Sequence, residues 1–235
     1  MPIGRENGCV VKLWSSSHAN RLFLPIPADR RPRRFVQLFV GLTLYGLAMA
    51  LQVRGALGVD PWNVLHEGLQ RLTGLSFGTI LVLVSIGVLL LWIPLRQRPG
   101  LGTVANATWV GISADLFLAL IPSYDALAVR IPLMLVGILG TGVAAAIYIG
   151  AGLGPGPRDG LMTGLHAKGL GSIRLIRTCI ELAVLGTGYL LGGGLGVGTV
   201  LFALSIGPVI QLVLPWVSID PVDVRRHRDT PDEAK

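Results

Sequence analysis

Leu57-Gly58-Val59-Asp60-Pro61-Trp62-Asn63-Val64-Leu65-His66-Glu67-Gly68-Leu69 and, 96 residues later, Leu153-Gly154-Pro155-Gly156-Pro157-Arg158-Asp159-Gly160-Leu161-Met162-Thr163-Gly164-Leu165 are two versions of one segment. Leu57, Gly58, Pro61, Leu65, Gly68 and Leu69 recur without a gap, whereas Asp60, Trp62 and Asn63 become Gly156, Arg158 and Asp159. The glycines and prolines among the kept residues fix backbone path, glycine through its access to positive φ and proline through its locked φ. In the first copy Asp60 followed by Pro61 is a helix start, an N-cap with proline at N1. Each segment predicts a tight connector opening into a short helix, too short and too polar to cross a bilayer.

The same shift of 96 holds outward on both sides. Gly41, Gly46, Ala48 and Ala50 align with Gly137, Gly142, Ala144 and Ala146, and Ser76, Ile80, Val88 and Leu95 with Ser172, Ile176, Val184 and Leu191. Gly100, Gly102-Thr103-Val104, Ala107 and Gly111 recur as Gly196, Gly198-Thr199-Val200, Ala203 and Gly207. One structural unit is written twice.

Apolar runs frame both copies: 35–53, 77–95, 101–121, 131–149, 173–191 and 197–217. Each is near the length of about 20 residues that crosses about 30 Å of hydrocarbon. In lipid the backbone must satisfy itself within the segment, so the runs are read as helices, and none shows the alternation of a barrel strand. Composition agrees, with 14% charged residues and a mean hydropathy of +0.65, against about 25% charged in soluble chains. The predicted fold is an all-α membrane protein. Its six transmembrane helices form two inverted three-helix repeats, 35–121 and 131–217, each with a short interfacial or re-entrant helix after its first span. The segments 1–34 and 218–235 are expected to be cytoplasmic tails, the first basic and disordered. Three spans per copy is an odd number, so the second copy stands upside down relative to the first.

Charge tests the orientation separately. Arg96, Arg98, Arg158, Lys168 and the basic residues of both tails fall on one side, with Arg174 and Arg177 entering the fifth run from it; only Arg54, Arg71 and Arg130 fall on the other. The positive-inside rule then places both termini in the cytoplasm. The net charge of +7 reads as topology rather than as a nucleic-acid surface. Arg30-Arg31-Pro32-Arg33-Arg34 reads as an anchor at the anionic leaflet, each charge worth about 1 kcal/mol there. Cys9 and Cys179 make no disulfide framework. His66 and His166 have no second ligand at helical spacing, so no metal or cofactor is implied. No nucleophile elbow, phosphate loop or paired-carboxylate motif occurs, which argues against an enzyme and assigns no catalytic residue.

The two connector segments, together with Trp92-Ile93-Pro94-Leu95, resemble the bacterial YczE/YyaS/YitT family of membrane proteins, over residues 41–216. The resemblance implies a multi-pass protein of the bacterial inner membrane and brings no substrate or catalytic residue with it. The family more often carries Asp where this chain has Asn63.

Polar groups inside spans are costly and mark candidate sites. Asp115, with Asn106 nine residues earlier and Gln211 as its repeat partner, reads either as a relay or substrate contact or as a structural carboxylate bonded to a neighbouring helix. Arg174, Arg177 and Glu181 share one face of the fifth run, either as an anion-recognising face or as an Arg177–Glu181 pair beside a topology charge. Asp60, Asn63, Arg158 and Asp159 sit at the short-helix starts, whose backbone course Gly58, Pro61, Gly154 and Pro157 set. Helix N-termini present unpaired N–H groups to whatever lies ahead, and inverted-repeat carriers use broken helices this way. The alternative makes Arg158 and Asp159 a local pair and Trp62 an interfacial or packing aromatic. On the functional reading the two starts approach each other across the repeat axis instead of lying about 30 Å apart at opposite faces. The leading function is a small-solute transporter or channel with its path between the repeats. Its partners are the lipid bilayer and an unknown small solute or ion, and the Gly/Ala helix faces leave homo-oligomerisation open. The runner-up is a non-transporting assembly or regulatory partner.

Overall fold

The structure is a computed structural model that describes residues 24, 26, 27 and 29–219; the expectations for the rest of both tails lie outside the described residues. Among these residues there are eight α-helices and no strand: α1 (Arg31–Gly55), α2 (Pro61–Thr73), α3 (Phe77–Leu95), α4 (Leu101–Leu120), α5 (Leu127–Gly150), α6 (Pro157–Ala167), α7 (Ile173–Leu190) and α8 (Val197–Val217). Helices α1, α3, α4, α5 and α8 are long and apolar enough to cross a membrane. Helix α7 has 18 residues and carries Arg174, Arg177 and Glu181.

Helix starts follow the local chemistry and match between the copies. Asp60 Oδ1 accepts from the amides of Trp62 and Asn63 at the start of α2. Ser76 and Ser172 cap α3 and α7 by accepting from the Thr79 and Leu175 amides. Thr103 and Thr199 side chains accept from the Gly100 and Gly196 amides where α4 and α8 begin. Each bond satisfies one of the four amides that a helix start leaves open.

Two expectations at the first helix need correction. It begins at Arg31, inside the segment assigned to the tail, with Pro32 in its first turn. Arg34 is not a leaflet charge. It is fully buried, pairs with Asp29 at 2.8 Å and donates from Nη1 to the Ala151 carbonyl at 2.9 Å.

Helices α1 and α5 pack against each other at the centre; α4 lies against α1 and α8 against α5. The short helices cross over: α2 packs on α7, and α6 on α3. The contacts come in pairs that interchange when every residue is shifted by 96. The Gly102 amide donates to the Leu153 carbonyl at 2.8 Å, and the Gly198 amide to the Leu57 carbonyl at 2.9 Å. Gly41 faces Tyr148 as Gly137 faces Gln52. Trp92 lies over Gly160, and at the counterpart crossing Gly188 lies against the Val64 and Leu65 backbone. Glycine leaves room for the facing group at both crossings, as close packing requires. Gly58, at φ +107°, and Gly154, at φ +130°, run against Gly196 and Gly100 respectively. A Cβ on Gly58 would stand 2.7 Å from the Gly196 nitrogen, and one on Gly154 would stand 3.0 Å from the Gly100 Cα. Only glycine meets both demands, which is why the motif kept it twice.

Candidate functional site

The two crossings deliver the starts of α2 and α6 to one cavity of about 140 Å³. Residues 96 apart line it in pairs: Met49 and Ala145, Asp60 and Gly156, Pro61 and Pro157, Trp62 and Arg158, Leu81 and Arg177, Ser85 and Glu181, Asn106 and Phe202, Val110 and Ile206. Both copies therefore contribute matching positions to the wall of one cavity.

Its polar wall is built at the short-helix starts. Asp60, 2% exposed, uses Oδ1 for the α2 cap and for Arg158 Nη1 at 3.3 Å. Arg158 reaches it from the other copy and lays its guanidinium over the Trp62 ring, 4.9 Å from the centroid, a cation–π contact. Asp60 Oδ2, Trp62 Nε1 and Asn63 Nδ2 are buried and have no hydrogen-bond partner among the described residues. An unpaired buried polar atom costs about 1–3 kcal/mol, so three on four consecutive residues are a concentrated cost at one spot. Burial pushes the Asp60 carboxyl up, against the Arg158 guanidinium and the Asn63 and Trp62 amides, which hold it down. Asp159 is likewise pushed up by burial, opposed by Arg177 and Arg158. It sits in the first turn of α6, with Tyr148 Oη 3.5 Å from Oδ2. Trp92 Nε1 donates to the Pro157 carbonyl at 3.0 Å and fixes this helix start from the opposite copy.

One pair of helices breaks the match between the copies. Helix α3 packs tightly on α4, where Gly78 meets Gly111, but α7 and α8 make no comparable contact. The counterpart of Gly78 is Arg174, which cannot enter so close a crossing, and Gly207, the counterpart of Gly111, faces open space. The gap exposes the cavity's flank, where Arg177 and Glu181 form a 2.8 Å ion pair with side chains 52% and 30% exposed. A second recess of about 850 Å³ is lined by the residues just before Asp60, among Leu57, Gly58, Glu67, Arg71, Met134 and Gly196.

Of the residues singled out from sequence, the structure brings Asp60, Asn106, Arg158, Asp159, Arg177 and Glu181 to this cavity. Asn63 is fully buried behind it, its Oδ1 3.0 Å from His66 Nδ1. Asp115 and Gln211 are elsewhere. Asp115 accepts from Ser76 Oγ and, at 2.7 Å, from the Gly78 amide, so it serves the start of α3; Gln211 is exposed on α8, as Arg174 is on α7. Arg158 pairs with Asp60 of the other copy and not with neighbouring Asp159. Tyr45, Tyr148 and Trp62 also line the cavity. Nothing in the sequence singled out the tyrosines; Trp62 could have been found from its place beside Pro61 in the repeated motif.

A family model described as "Family of unknown function (DUF6198)" matches residues 32–215. An "Uncharacterized protein" of Haemophilus influenzae is 40% identical over 177 residues, covering 75% of this chain and 81% of that relative. The "Uncharacterized membrane protein YczE" of Bacillus subtilis is 30% identical over 186 residues, 77% of this chain and 86% of its own length. The "Uncharacterized protein YyaS" of the same organism is 25% identical over 188 residues, 78% and 94% respectively. These matches bear out the YczE/YyaS resemblance seen in the motifs. No solved structure matches the chain.

Proposed function

The chain belongs to the DUF6198 family of membrane proteins, and from that premise we propose that it is a small-solute transporter or channel of the bacterial inner membrane. In this reading six spans form two inverted three-helix repeats, and the solute path runs through the cavity between them. The observation that carries it is the lining of one polar-walled cavity by both members of eight repeat pairs. Helix α7 counts as the sixth span because Arg177 and Glu181 neutralise each other, and Arg174 near its end can extend to the headgroups. Both termini are cytoplasmic, on the bias of Arg30, Arg31, Arg33, Arg96, Arg98 and Lys168. The two glycine crossings act as the closures on either side of the cavity, with the 850 Å³ recess as the vestibule beyond one of them.

Thiol accessibility tests the path. In a background with Cys9 and Cys179 replaced by serine, Ala145→Cys in the cavity should react with a water-soluble, membrane-impermeant thiol reagent. Leu139→Cys, on the 52% exposed outer face of the same helix, should stay inert in lipid. An inert Ala145→Cys would leave no aqueous path and favour the assembly or regulatory reading, for which the open face at Gly207 on α8 supplies a packing surface.

A further inference from the structure

We infer that the cavity takes a small organic cation of the guanidinium or protonated-amine class, and that Arg158 occupies that cation's place as a tethered stand-in. The inference rests on the cavity being a solute site. Three carboxylates, Asp60, Asp159 and Glu181, and two guanidiniums, Arg158 and Arg177, line it. Each guanidinium is already held by a carboxylate, Arg158 by Asp60 and Arg177 by Glu181. The remaining acid, Asp159, has the Tyr148 hydroxyl at 3.5 Å and no ion-pair partner among the described residues. The set therefore carries one more acid than base.

Two helix starts facing one cavity would ordinarily favour an anion. Here each start has its own carboxylate, Asp60 at the N-cap of α2 and Asp159 in the first turn of α6. That positive potential is already answered, and an anion would meet two acids. A cation meets the reverse, and the site shows how it would be held. The Arg158 head sits between the Asp60 carboxylate and the Trp62 face, the carboxylate-plus-aromatic arrangement that recognises organic cations. Asp60 meets Arg158 through Oδ1, the atom that also caps α2, while Oδ2 is buried and has no hydrogen-bond partner among the described residues. A volume of about 140 Å³ is close to the cavity of about 150 Å³ that holds a benzene ring, enough for such a head and too little for a long chain. Arg158 is attached through a side chain 26% exposed, so it can withdraw and leave Asp60 to an incoming cation.

The test uses the full chain in nanodiscs with methylguanidinium as probe, methylammonium as a second cation, and urea and propionate as neutral and anionic controls. Removing the stand-in by Arg158→Ala should tighten methylguanidinium binding about tenfold, equivalent to about 1.4 kcal/mol. Adding Asp60→Asn to that variant should abolish it. Arg158→Gln, which keeps a polar head of similar reach, should show the same gain in a milder form and serves if the alanine variant fails to accumulate. Urea or propionate binding as well as methylguanidinium, or binding that survives Asp60→Asn, overturns the inference. Propionate that binds and shields Ala145→Cys from the thiol reagent would end the cation assignment while keeping the solute path. Methylguanidinium that binds with the expected Asp60 dependence, yet never enters vesicles carrying the protein, supports the cation site and refutes transport.

Discussion

Alanine at Gly58 or at Gly154 is expected to remove most of the folded protein. Both residues hold φ in the left-handed region, at +107° and +130°, where a Cβ costs about 1–2 kcal/mol. The added methyl also meets backbone, at 2.7 Å across from Gly58 and 3.0 Å across from Gly154, and backbone cannot rotate away as a side-chain end can. Forcing a group into packed surroundings costs about 1–3 kcal/mol more, a large part of a total stability of about 5–15 kcal/mol. Gly87→Ala and Gly186→Ala are the controls. Both lie inside long helices with nothing within 4 Å of a built Cβ, so they should be neutral or stabilising by up to about 1 kcal/mol. Heating detergent extracts and measuring the monodisperse fraction by size-exclusion separates the two classes.

Asp60→Asn is expected to cost about 2–3 kcal/mol even though asparagine caps helices as well as aspartate does. The loss comes from leaving the Arg158 guanidinium without its carboxylate in a buried setting. Breaking a fully buried pair costs about 3–5 kcal/mol, and the smaller figure reflects an Arg158 side chain that is 26% exposed. Asp60→Asn combined with Arg158→Met should recover much of the loss, since an uncharged pair fills the same space. The double-mutant cycle reads the coupling between the copies directly. Additive losses would mean that the 3.3 Å contact carries no energy and that the two helix starts are merely neighbours.

The sequence was most legible where backbone geometry constrains it. Gly58, Pro61, Gly154 and Pro157 recur at one spacing because no other residues hold the crossings and helix starts open, and that spacing was enough to expect two matched halves. Side-chain roles set by distant contacts were less legible. Asp115 looked like an intramembrane acid, but its partners Ser76 and Gly78 lie more than a helix away in the chain. Arg34 looked like one of a run of surface charges, and only the meeting of α1 with the Ala151 carbonyl shows that it is buried. The gap between α7 and α8 was written in the alignment as Gly78 against Arg174, yet its meaning needs the tight Gly78–Gly111 crossing to be seen first. Trp62 and Arg158, aligned in the repeat, turned out to touch each other, a relation that no one-dimensional pattern displays.

The proposed function places two three-span copies in opposite senses around the cavity, and sidedness of labelling tests that arrangement most directly. The turns between α3 and α4 and between α7 and α8 are the places to look. Gly193 in the later turn is buried against Val64, so the exposed Leu195 is the better site, paired with the exposed Arg96 in the earlier turn. In intact cells lacking the native cysteines, Leu195→Cys should react with an impermeant thiol reagent, and Arg96→Cys should react only after permeabilisation. Labelling of both positions from the same face would mean that α7 does not cross and would contradict the inverted pair.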